Sequence, residues 1–400
     1  MIGASTGATT GAPIGERRSA IIFRKRILPW SETFIAAQSG AMTRHAPVLV
    51  GYSRDPSGAA YLVGRPQLLL DEHSLFPALE KFLLKSAGRA PRRWLRAIAE
   101  TRPVVLHAHF GSSALPASRI AKALGIPLVV TYHGMDITVR AKTEAEAARR
   151  RAAFAAADRV IAVSRFIRDA LLAAGCPAER ITLHYIGVDT TKFTPATAPR
   201  SATEVLFVGR LVAKKGVIHL VRAMAAVRKA IPAAELVIAG DGPLRDGLAT
   251  EAAQLGVPAR FLGVQTPAQV QDLMRRAAVL AGPSIADDRG NAEGLPITFL
   301  EAQASGLPLV VSTSGGTGEG VVHGETGYLF SPGDETALAA HLTALLADAA
   351  LRERMSRAAR AHMEAHFDLA RQTAALEAIY DDVRTHHDVR TRHDVRTHAP

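Results

Sequence analysis

The segment at residues 209–216 combines glycine with three cations, a composition that suits a diphosphate. It reads Gly-Arg-Leu-Val-Ala-Lys-Lys-Gly and follows the apolar run EVLFV. Gly209 allows a ligand to approach the backbone closely, and Arg210 and Lys215 can neutralise phosphate oxygens. Cations at the start of the helix predicted to follow would oppose its dipole. Their presence therefore indicates that an anion shares the site.

Two carboxylates flank a proline in segment 291–302, which reads Asn-Ala-Glu-Gly-Leu-Pro-Ile-Thr-Phe-Leu-Glu-Ala. Because Pro296 favours the first turn of a helix, we expect Glu293 in the preceding loop and Glu301 in the second turn. Glu293 and the backbone of Gly294 can then meet sugar hydroxyls, and Glu301 can accept hydrogen bonds from a ribose. The alternative is an amphipathic helix with one capping and one exposed acid.

A second glycine turn, Gly-Asp-Gly-Pro-Leu-Arg at 240–245, follows the apolar run ELVIA. Pro243 predicts the start of a helix. Gly240 and Gly242 can contact a ligand through the backbone, or they can serve the turn alone. The sequence leaves both possibilities open.

Histidines end two apolar runs in the first half of the chain. His107 and His109 alternate within one run and therefore share a face of a strand. No third ligand stands at a spacing typical of a metal site, so we expect His109 to contact an acceptor or to pack at the strand end. His133 follows the run PLVVTY, where a lone histidine is usually structural.

Short apolar runs alternate with helical patterns on both sides of a Pro/Thr/Ala-rich segment at 194–199. The runs are PVLVGY, PVVLHAHF, PLVVTYH, RVIAVS and ITLHYIGV, then EVLFVG, ELVIAG, ARFLG, AVLAGPS and PLVVST. This alternation predicts an α/β protein with two doubly wound parallel sheets joined by a linker. Ligands of such sheets bind beyond the carboxyl ends of the strands, where the candidate residues stand.

The length of 400 residues and the hydrophobic content of 48% favour two domains. The single cysteine, Cys176, excludes an internal disulfide framework and indicates a reducing compartment. No apolar run approaches the roughly 18 residues of a membrane-spanning helix, and the first fifteen residues lack the features of a secretory signal. We therefore expect a cytoplasmic protein.

Positive charge is concentrated in the first half of the chain. Residues 1–198 carry 27 Lys and Arg against 14 Asp and Glu, whereas residues 199–400 carry 21 against 23. The asymmetry predicts an anionic partner, and the absence of a nucleic-acid recognition motif argues against nucleic acid.

Segment 79–98 interleaves apolar and basic residues. It can lie on an anionic membrane surface or form a solvated basic face. Its apolar members are Leu79, Phe82, Leu83, Trp94, Leu95 and Ile98, and its cations are Lys81, Lys85, Arg89, Arg92, Arg93 and Arg96.

Both ends of the chain have compositions typical of disorder. Residues 1–18 are small and polar, and residues 382–400 repeat a hexad that begins Asp-Val-Arg-Thr. Between them we expect an N-terminal domain at 19–195, a C-terminal domain at 200–365 and a helix at 366–381.

These segments together resemble glycosyltransferase family 4 from about residue 100 to residue 380. Its members are retaining enzymes with the GT-B fold, in which two Rossmann-like domains face each other across a cleft and a C-terminal helix crosses back to the N-terminal domain. Arg210 and Lys215 resemble the family's donor-diphosphate pair. Glu293 and Glu301 resemble its Glu-x7-Glu signature.

The resemblance implies roles for the histidine loop at 131–136. His133 would lie near the reacting carbon and stabilise transferred charge, and Asp136 would support the loop. Arg210 and Lys215 would stabilise the departing nucleoside diphosphate, so neither a metal ion nor a cofactor is expected. The residues expected to bind the donor are Gly209, Arg210, Lys215, Gly240, Gly242, Gly294, Leu295 and Glu301.

Two segments depart from the common family pattern. Ser-Glu-Thr-Phe-Ile at 31–35 is similar to the subgroup that builds bacterial exopolysaccharides such as colanic acid and amylovoran, and it follows a strand after which many members carry Gly-Gly. The expected acceptor-side residues are Ser31, Glu32, His109 and Asp136. In the second segment, Gly318 precedes Glu319 where a proline is usual, which predicts a more mobile loop.

The resemblance implies transfer of a sugar from a UDP- or GDP-sugar to a glycan or polyprenyl-linked acceptor. A catalytically weak nucleotide-sugar-binding protein and a GT-B epimerase remain alternatives. A phosphorylase of the same fold would require a lysine-bound pyridoxal cofactor.

Overall fold

The structure is a computed structural model of the 400-residue chain, and it describes residues 17–27, 29, 32–86 and 89–397. It describes the side chains of these residues except those at 59–61, 85–86 and 390–397. The N-terminal segment predicted to be disordered lies outside the described residues as far as residue 16. Its last residue, Arg18, begins the first strand.

Fifteen strands are present in the described part of the chain. They are β1 (Arg18–Phe23), β2 (Arg26–Ile27), β3 (His45–Gly51), β4 (Ser53–Arg54), β5 (Gln67–Leu69), β6 (Pro103–His109), β7 (Leu128–Tyr132), β8 (Arg159–Ala162), β9 (Ile181–Leu183), β10 (Glu204–Val208), β11 (Glu235–Ala239), β12 (Ala259–Gly263), β13 (Val279–Gly282), β14 (Leu309–Ser312) and β15 (Gly327–Phe330).

The α-helices of the described residues alternate with these strands. They are α1 (Thr33–Gly40), α2 (Leu70–His73), α3 (Pro77–Ser86), α4 (Arg92–Glu100), α5 (Ala114–Leu124), α6 (Met135–Thr138), α7 (Glu144–Ala156), α8 (Arg165–Ala173), α9 (Val217–Ala230), α10 (Arg245–Gln254), α11 (Pro267–Arg276), α12 (Ile297–Ala304), α13 (Glu335–Ala347), α14 (Ala349–His366) and α15 (Leu369–Thr397). Short 3-10 turns occur at Pro56–Leu62, Gly111–Ser113, Ala178–Arg180, Ala213–Lys215 and Thr317–Gly320.

The chain folds as two compact units whose segments alternate along the sequence. The first unit consists of Met1–Val130, Ala155–Arg159 and Thr373–Pro400, and the second of Thr131–Phe154 and Val160–Gln372. The predicted linker at 194–199 has no helix or strand, and both of its ends belong to the second unit. The predicted domain bounds therefore differ from the bounds of the compact units.

The first unit is built on parallel strands in the order β5-β3-β1-β6, followed by the first residues of β7. β1 is central, and its Ile21 pairs with Val48 on one side and Leu106 on the other. Five of the six residues of β1 are buried, as expected for a strand covered on both faces. This continuous apolar run explains why the strand occupies the middle of its sheet.

The second unit contains a six-stranded parallel sheet in the order β12-β11-β10-β13-β14-β15. Numbered from β10, this is the Rossmann order 3-2-1-4-5-6, in which ligands bind at the switch point between β10 and β13. Val217, Leu220, Met224 and Val227 of α9 are all buried against the sheet, as their three- and four-residue spacing predicts. The predicted α/β class with two Rossmann-like domains is confirmed.

The C-terminal helix is longer than expected. The predicted helix at 366–381 is α15, which begins at Leu369 and continues to Thr397 through the segment expected to be disordered. That segment contains neither glycine nor proline before the helix ends, and Val383 is buried. The Thr385 hydroxyl also donates a hydrogen bond to the Asp381 carbonyl at 2.9 Å. The repeat therefore extends a helix that is already nucleated.

Candidate active site

A cluster of three charged side chains lies beyond the switch point of the second unit's sheet. Oε1 of Glu293 is 3.1 Å from the Lys214 ammonium and 3.2 Å from the Lys215 ammonium. All three side chains are largely buried. Burial opposes ionisation of Glu293, but Lys215 and Lys214 outweigh this effect and lower the pKa of its carboxyl. This Lys214–Glu293–Lys215 cluster keeps one uncompensated positive charge that an anion can neutralise.

The turn after β10 positions the two lysines. Gly209 donates its N–H to the Ala239 carbonyl at 3.0 Å, and a 3-10 turn at Ala213–Lys215 precedes α9. Gly216 closes this turn in the left-handed region, with φ of +62°. A β-carbon at position 216 would lie 1.9 Å from the Pro283 carbonyl oxygen, so only glycine fits there.

Arg210 stands apart from the Lys214–Glu293–Lys215 cluster. It is exposed, and among the residues that the structure describes it forms no ion pair. Lys214 and Lys215 both pair with Glu293, and contact between Arg210 and the donor diphosphate stays a prediction. Spacing alone could not show which of the three cations contacts Glu293, because all three lie within one short loop.

The glycine turn after β11 packs directly on the turn after β10. A β-carbon at Gly240 would lie 1.9 Å from the Gly209 carbonyl oxygen, and one at Gly242 would lie 2.5 Å from the Leu211 carbonyl oxygen. Backbone packing thus accounts for both glycines. Donor contact by Gly240 and Gly242 remains a prediction.

The predicted histidine loop lies against the loop that carries Glu293. Asp136 accepts hydrogen bonds from the N–H groups of His133 at 3.1 Å and Gly134 at 2.9 Å, which fits a supporting role for its carboxylate. The Gly294 α-carbon packs on the His133 carbonyl, where a β-carbon would be 1.8 Å from the oxygen. The structure therefore brings together four predicted site residues, His133, Asp136, Glu293 and Gly294.

Glu301 and Leu295 are two further residues predicted to bind the donor. α12 begins directly after Pro296, so Glu301 stands in its second turn as predicted. Burial raises the pKa of Glu301 to about 7, and Lys192 opposes the shift. Leu295 is buried, and its contact with the donor stays a prediction.

Sequence reasoning missed the contacts of the loop at 314–320. Gly316 donates its N–H to the Glu293 carbonyl at 2.9 Å, and the Thr317 hydroxyl donates to the Ser314 carbonyl at 2.9 Å. Glu319 reaches the start of α8. The expected mobile loop is thus bonded at several points, and the Gly-Gly pair at 315–316 was the available signal.

Two of the expected acceptor-side residues, Glu32 and His109, lie in the described part of the first unit. The Glu32 carboxylate is held by the Arg24 guanidinium, with N–O distances from 2.6 to 3.2 Å. Arg24 also lies over the Phe110 ring, 4.2 Å from its centroid. His109 is buried and its ring packs on that of His107, with centroids 4.2 Å apart. Ser31 lies outside the described residues.

The described residues offer neither a metal centre nor a membrane-spanning helix. In the described part of the chain, no group of three or more His, Cys, Asp or Glu side chains could hold a metal ion. None of the helices within the described ranges is both long enough and apolar enough to span a bilayer.

Two family models match adjoining parts of the sequence. The model for Glycosyltransferase Family 4 matches residues 31–192, and the model for Glycosyl transferases group 1 matches residues 189–362. The second match covers the Lys214–Glu293–Lys215 cluster, and the first covers the histidine loop.

Relatives and solved structures agree with these matches. Glycogen synthase of Mycobacterium tuberculosis is 32% identical over 291 residues, which are 70% of this chain and 69% of the relative. The amylovoran biosynthesis glycosyltransferase AmsK of Erwinia amylovora is 31% identical over 266 residues, 65% of each chain. HepE of Anabaena, crystallised with UDP and glucose, shares the fold with a TM-score of 0.72 at 19% identity, covering 92% of this chain and 100% of HepE. The chain therefore belongs to glycosyltransferase family 4 and is a glycosyltransferase of the GT-B fold, with relatives in exopolysaccharide synthesis.

Proposed function

We propose that the enzyme transfers a sugar from a nucleoside-diphosphate sugar with retention of the anomeric configuration and without a metal ion. The Lys214–Glu293–Lys215 cluster carries the proposal. It supplies two largely buried ammonium groups at the sheet position where Rossmann-like domains bind phosphates. HepE, which shares the fold, was crystallised with UDP and glucose, and this supports a donor of the same class.

In the proposed reaction the lysines stabilise the leaving group. Charge builds on the nucleoside diphosphate as its bond to the sugar breaks, and Lys215 and Lys214 offset that charge in a water-poor site. The Glu293 carboxylate and the Gly294 backbone orient the sugar hydroxyls. His133 lies beside Gly294 and faces the reacting carbon. The acceptor hydroxyl attacks that carbon from the side that the diphosphate leaves, and its proton passes to the departing phosphate oxygen.

Donor binding and product stereochemistry test this function. UDP-, GDP- and ADP-sugars are titrated in EDTA, hydrolysis and transfer are followed, and the anomeric configuration of the product is read by NMR. We expect one donor class to bind with micromolar affinity and to give a retained product. Loss of activity in EDTA that magnesium restores would contradict the metal-free mechanism, and binding without turnover would favour a weak nucleotide-sugar-binding protein. An epimerised nucleotide sugar, formed without transfer, would favour an epimerase.

We propose a glycan or polyprenyl-linked acceptor of exopolysaccharide synthesis. The amylovoran enzyme AmsK supports this class. The segment at 31–35 resembles the exopolysaccharide subgroup. Within it, Glu32 forms an ion pair with Arg24 in the first unit. We infer that this ion pair shapes the acceptor-side surface in place of a Gly-Gly loop.

We also propose that the enzyme works in the cytoplasm at an anionic membrane surface. On and just before α3 the side chains of Leu75, Phe76, Leu79 and Phe82 are 55–72% exposed, which is unusual for four neighbouring large apolar residues. Trp94 and Ile98, which the sequence suggested for the same surface, are fully buried. The membrane contact is therefore assigned to α3 and its preceding turn, and the exposed arginines of α4 add positive charge to the unit.

Vesicle sedimentation tests the membrane proposal. The wild-type protein should pellet with vesicles rich in phosphatidylglycerol, less so at high salt, and weakly with phosphatidylcholine alone. Phe76→Ser combined with Phe82→Ser should reduce pelleting about tenfold or more, because each aromatic side chain contributes about 1.5–3 kcal/mol on burial. Leu255→Ser, an exposed apolar position in the second unit, is the control. Equal pelleting by the double variant and the wild type would remove α3 from the proposal.

A further inference from the structure

The Glu319 carboxylate accepts three hydrogen bonds at or near the start of α8. One oxygen accepts hydrogen bonds from the Arg165 N–H at 2.7 Å and the Tyr185 hydroxyl at 3.1 Å, and the other accepts from the Phe166 N–H at 2.8 Å. The first N–H groups of a helix have no partner within the helix, and its dipole favours an anion there. Burial and the charge of Glu319 raise the pKa of Tyr185, which keeps this hydroxyl a donor.

Glu319 does more than complete the cap of α8. The Ser164 hydroxyl oxygen accepts a hydrogen bond from the Ile167 N–H at 3.1 Å, so α8 has an N-cap residue of its own, which leaves the two preceding N–H groups to other acceptors. Glu319 comes from a segment more than 150 residues away and bonds the two preceding N–H groups. Its bonds therefore tie two distant segments of the second unit together.

The other end of the Glu319 segment packs on the backbone that carries Glu293 and Gly294. A β-carbon at Gly315 would lie 2.4 Å from the Glu293 carbonyl oxygen, and one at Gly316 would lie 1.7 Å from the Gly294 carbonyl oxygen. Gly316 also donates its N–H to the Glu293 carbonyl at 2.9 Å. Movement of the glycine pair would thus move the two groups proposed to orient the donor sugar.

We propose that Glu319 is a positioning residue for the sugar of the donor. Anchored on α8, it holds Gly315 and Gly316 against the loop at 293–294 and so sets the direction of the Glu293 carboxylate. The inference rests on the proposed function, and it separates two parts of the site. The lysines hold the diphosphate from the turn after β10, whereas the Glu319 anchor acts on the groups that contact the sugar and reaches the lysines only through their pairing with Glu293.

Paired affinities of sugar nucleotides and free nucleoside diphosphates test this role. The probes are UDP-glucose, GDP-mannose and ADP-glucose, each measured beside UDP, GDP or ADP by calorimetry. For the pair that the wild type binds, Glu319→Ala should weaken the sugar nucleotide about tenfold and change the free diphosphate less than about twofold. Tyr185→Phe should show the same selectivity with a smaller loss, about twofold to threefold, because it removes one of three hydrogen bonds. Glu325→Ala, an exposed acid six residues further along the chain, is the control and should match the wild type.

Glu319→Gln is a second variant, which keeps the test valid if Glu319→Ala fails to fold. Its amide retains one acceptor oxygen but places an NH2 against a backbone N–H, so it should fold and should show an intermediate, sugar-selective loss. Equal weakening of both ligands, or no weakening of either, would overturn the positioning role. A wild type that binds none of the probes would overturn the proposed function as well, so the two failures are distinguishable.

Discussion

The α-carbon of Gly294 packs against the carbonyl oxygen of His133 so closely that a β-carbon at position 294 would lie 1.8 Å from that oxygen. No real β-carbon makes such a contact, so the backbone of one loop or the other would have to move. The two residues are 161 positions apart in the sequence. Their contact ties the proposed sugar-binding loop to the proposed reaction centre.

Gly294→Ala should therefore disable catalysis through geometry. A displacement of about 1 Å at reacting groups can cost on the order of 100-fold in rate, and we expect kcat/KM to fall by at least that factor. Gly247→Ala is the matched control, because Gly247 lies in α10 with no heavy atom near its added β-carbon. The control should retain activity and gain about 0.5–1 kcal/mol in free energy of unfolding. Steady-state kinetics and chemical denaturation of both variants decide the question, and an active Gly294→Ala would contradict the assigned contact.

Lys215→Ala should lower kcat by about 100-fold to 1000-fold while leaving the melting temperature nearly unchanged. The reason is that this ammonium is proposed to stabilise charge that appears only as the donor bond breaks. Lys229→Ala, an exposed position at the end of α9, serves as the control for loss of a lysine. Transfer rates at saturating donor measure the effect. Turnover within a factor of about three of the wild type would remove Lys215 from the leaving-group role.

Donor affinity should depend on pH through Glu301. Burial raises the pKa of this carboxyl to about 7, so it gains its charge between about pH 6 and pH 8. A ribose hydroxyl donates more strongly to the charged form, so donor affinity should rise about fivefold to tenfold over that interval. Glu301→Gln should have a flat profile. A wild-type affinity that is constant from pH 6 to pH 8 would argue against contact between Glu301 and the ribose.

The raised pKa of Glu301 also makes the stability of the protein depend on pH. A carboxyl whose pKa is raised on folding penalises the native state once it is charged, so its contribution to stability falls as pH rises from about 4.5 to about 7. Glu301→Gln removes that penalty. The variant should gain melting temperature relative to the wild type at pH 8 and little or none at pH 4.

Glu377, in the first unit, has a pKa that folding lowers, whereas folding raises that of Glu301. Its buried carboxylate accepts hydrogen bonds from the backbone N–H groups of Thr43, Arg44 and His45 at 2.8–3.3 Å. Burial alone would raise the pKa of Glu377, but these bonds and the His45 side chain lower it to about 2. Its contribution is therefore complete above about pH 4.5 and is lost as pH falls towards 2.

Glu377→Ala should lower the free energy of unfolding by about 3 kcal/mol at pH 7, because it leaves buried N–H groups without an acceptor. The difference from the wild type should shrink between pH 4.5 and pH 2. Glu353→Ala, whose exposed carboxylate pairs with Arg357, should cost less than about 1 kcal/mol. Denaturant titrations at several pH values measure both variants. A loss at Glu377 that is independent of pH would show that its charge is not the stabilising feature.

The alternation of strands and helices along the chain and the position of most site residues follow from local pattern. Runs such as LVIA at 236–239 are apolar throughout because both faces of a parallel strand are covered. Gly209, Glu293 and His133 stand just after such runs or in the loops beyond them. These features depend on neighbours in sequence, so the sequence by itself determined the α/β class, the glycine turns and the loops that form the candidate site.

Only the tertiary structure decided which groups meet. Lys214 rather than Arg210 pairs with Glu293, Glu32 pairs with Arg24, and Glu319 bonds the start of α8. The direction of each side chain depends on the path of its loop and on the surfaces that arrive from distant segments, which neither spacing nor composition encodes. Burial of Trp94 and exposure of Phe76 have the same origin, because helix packing selects the face that solvent reaches.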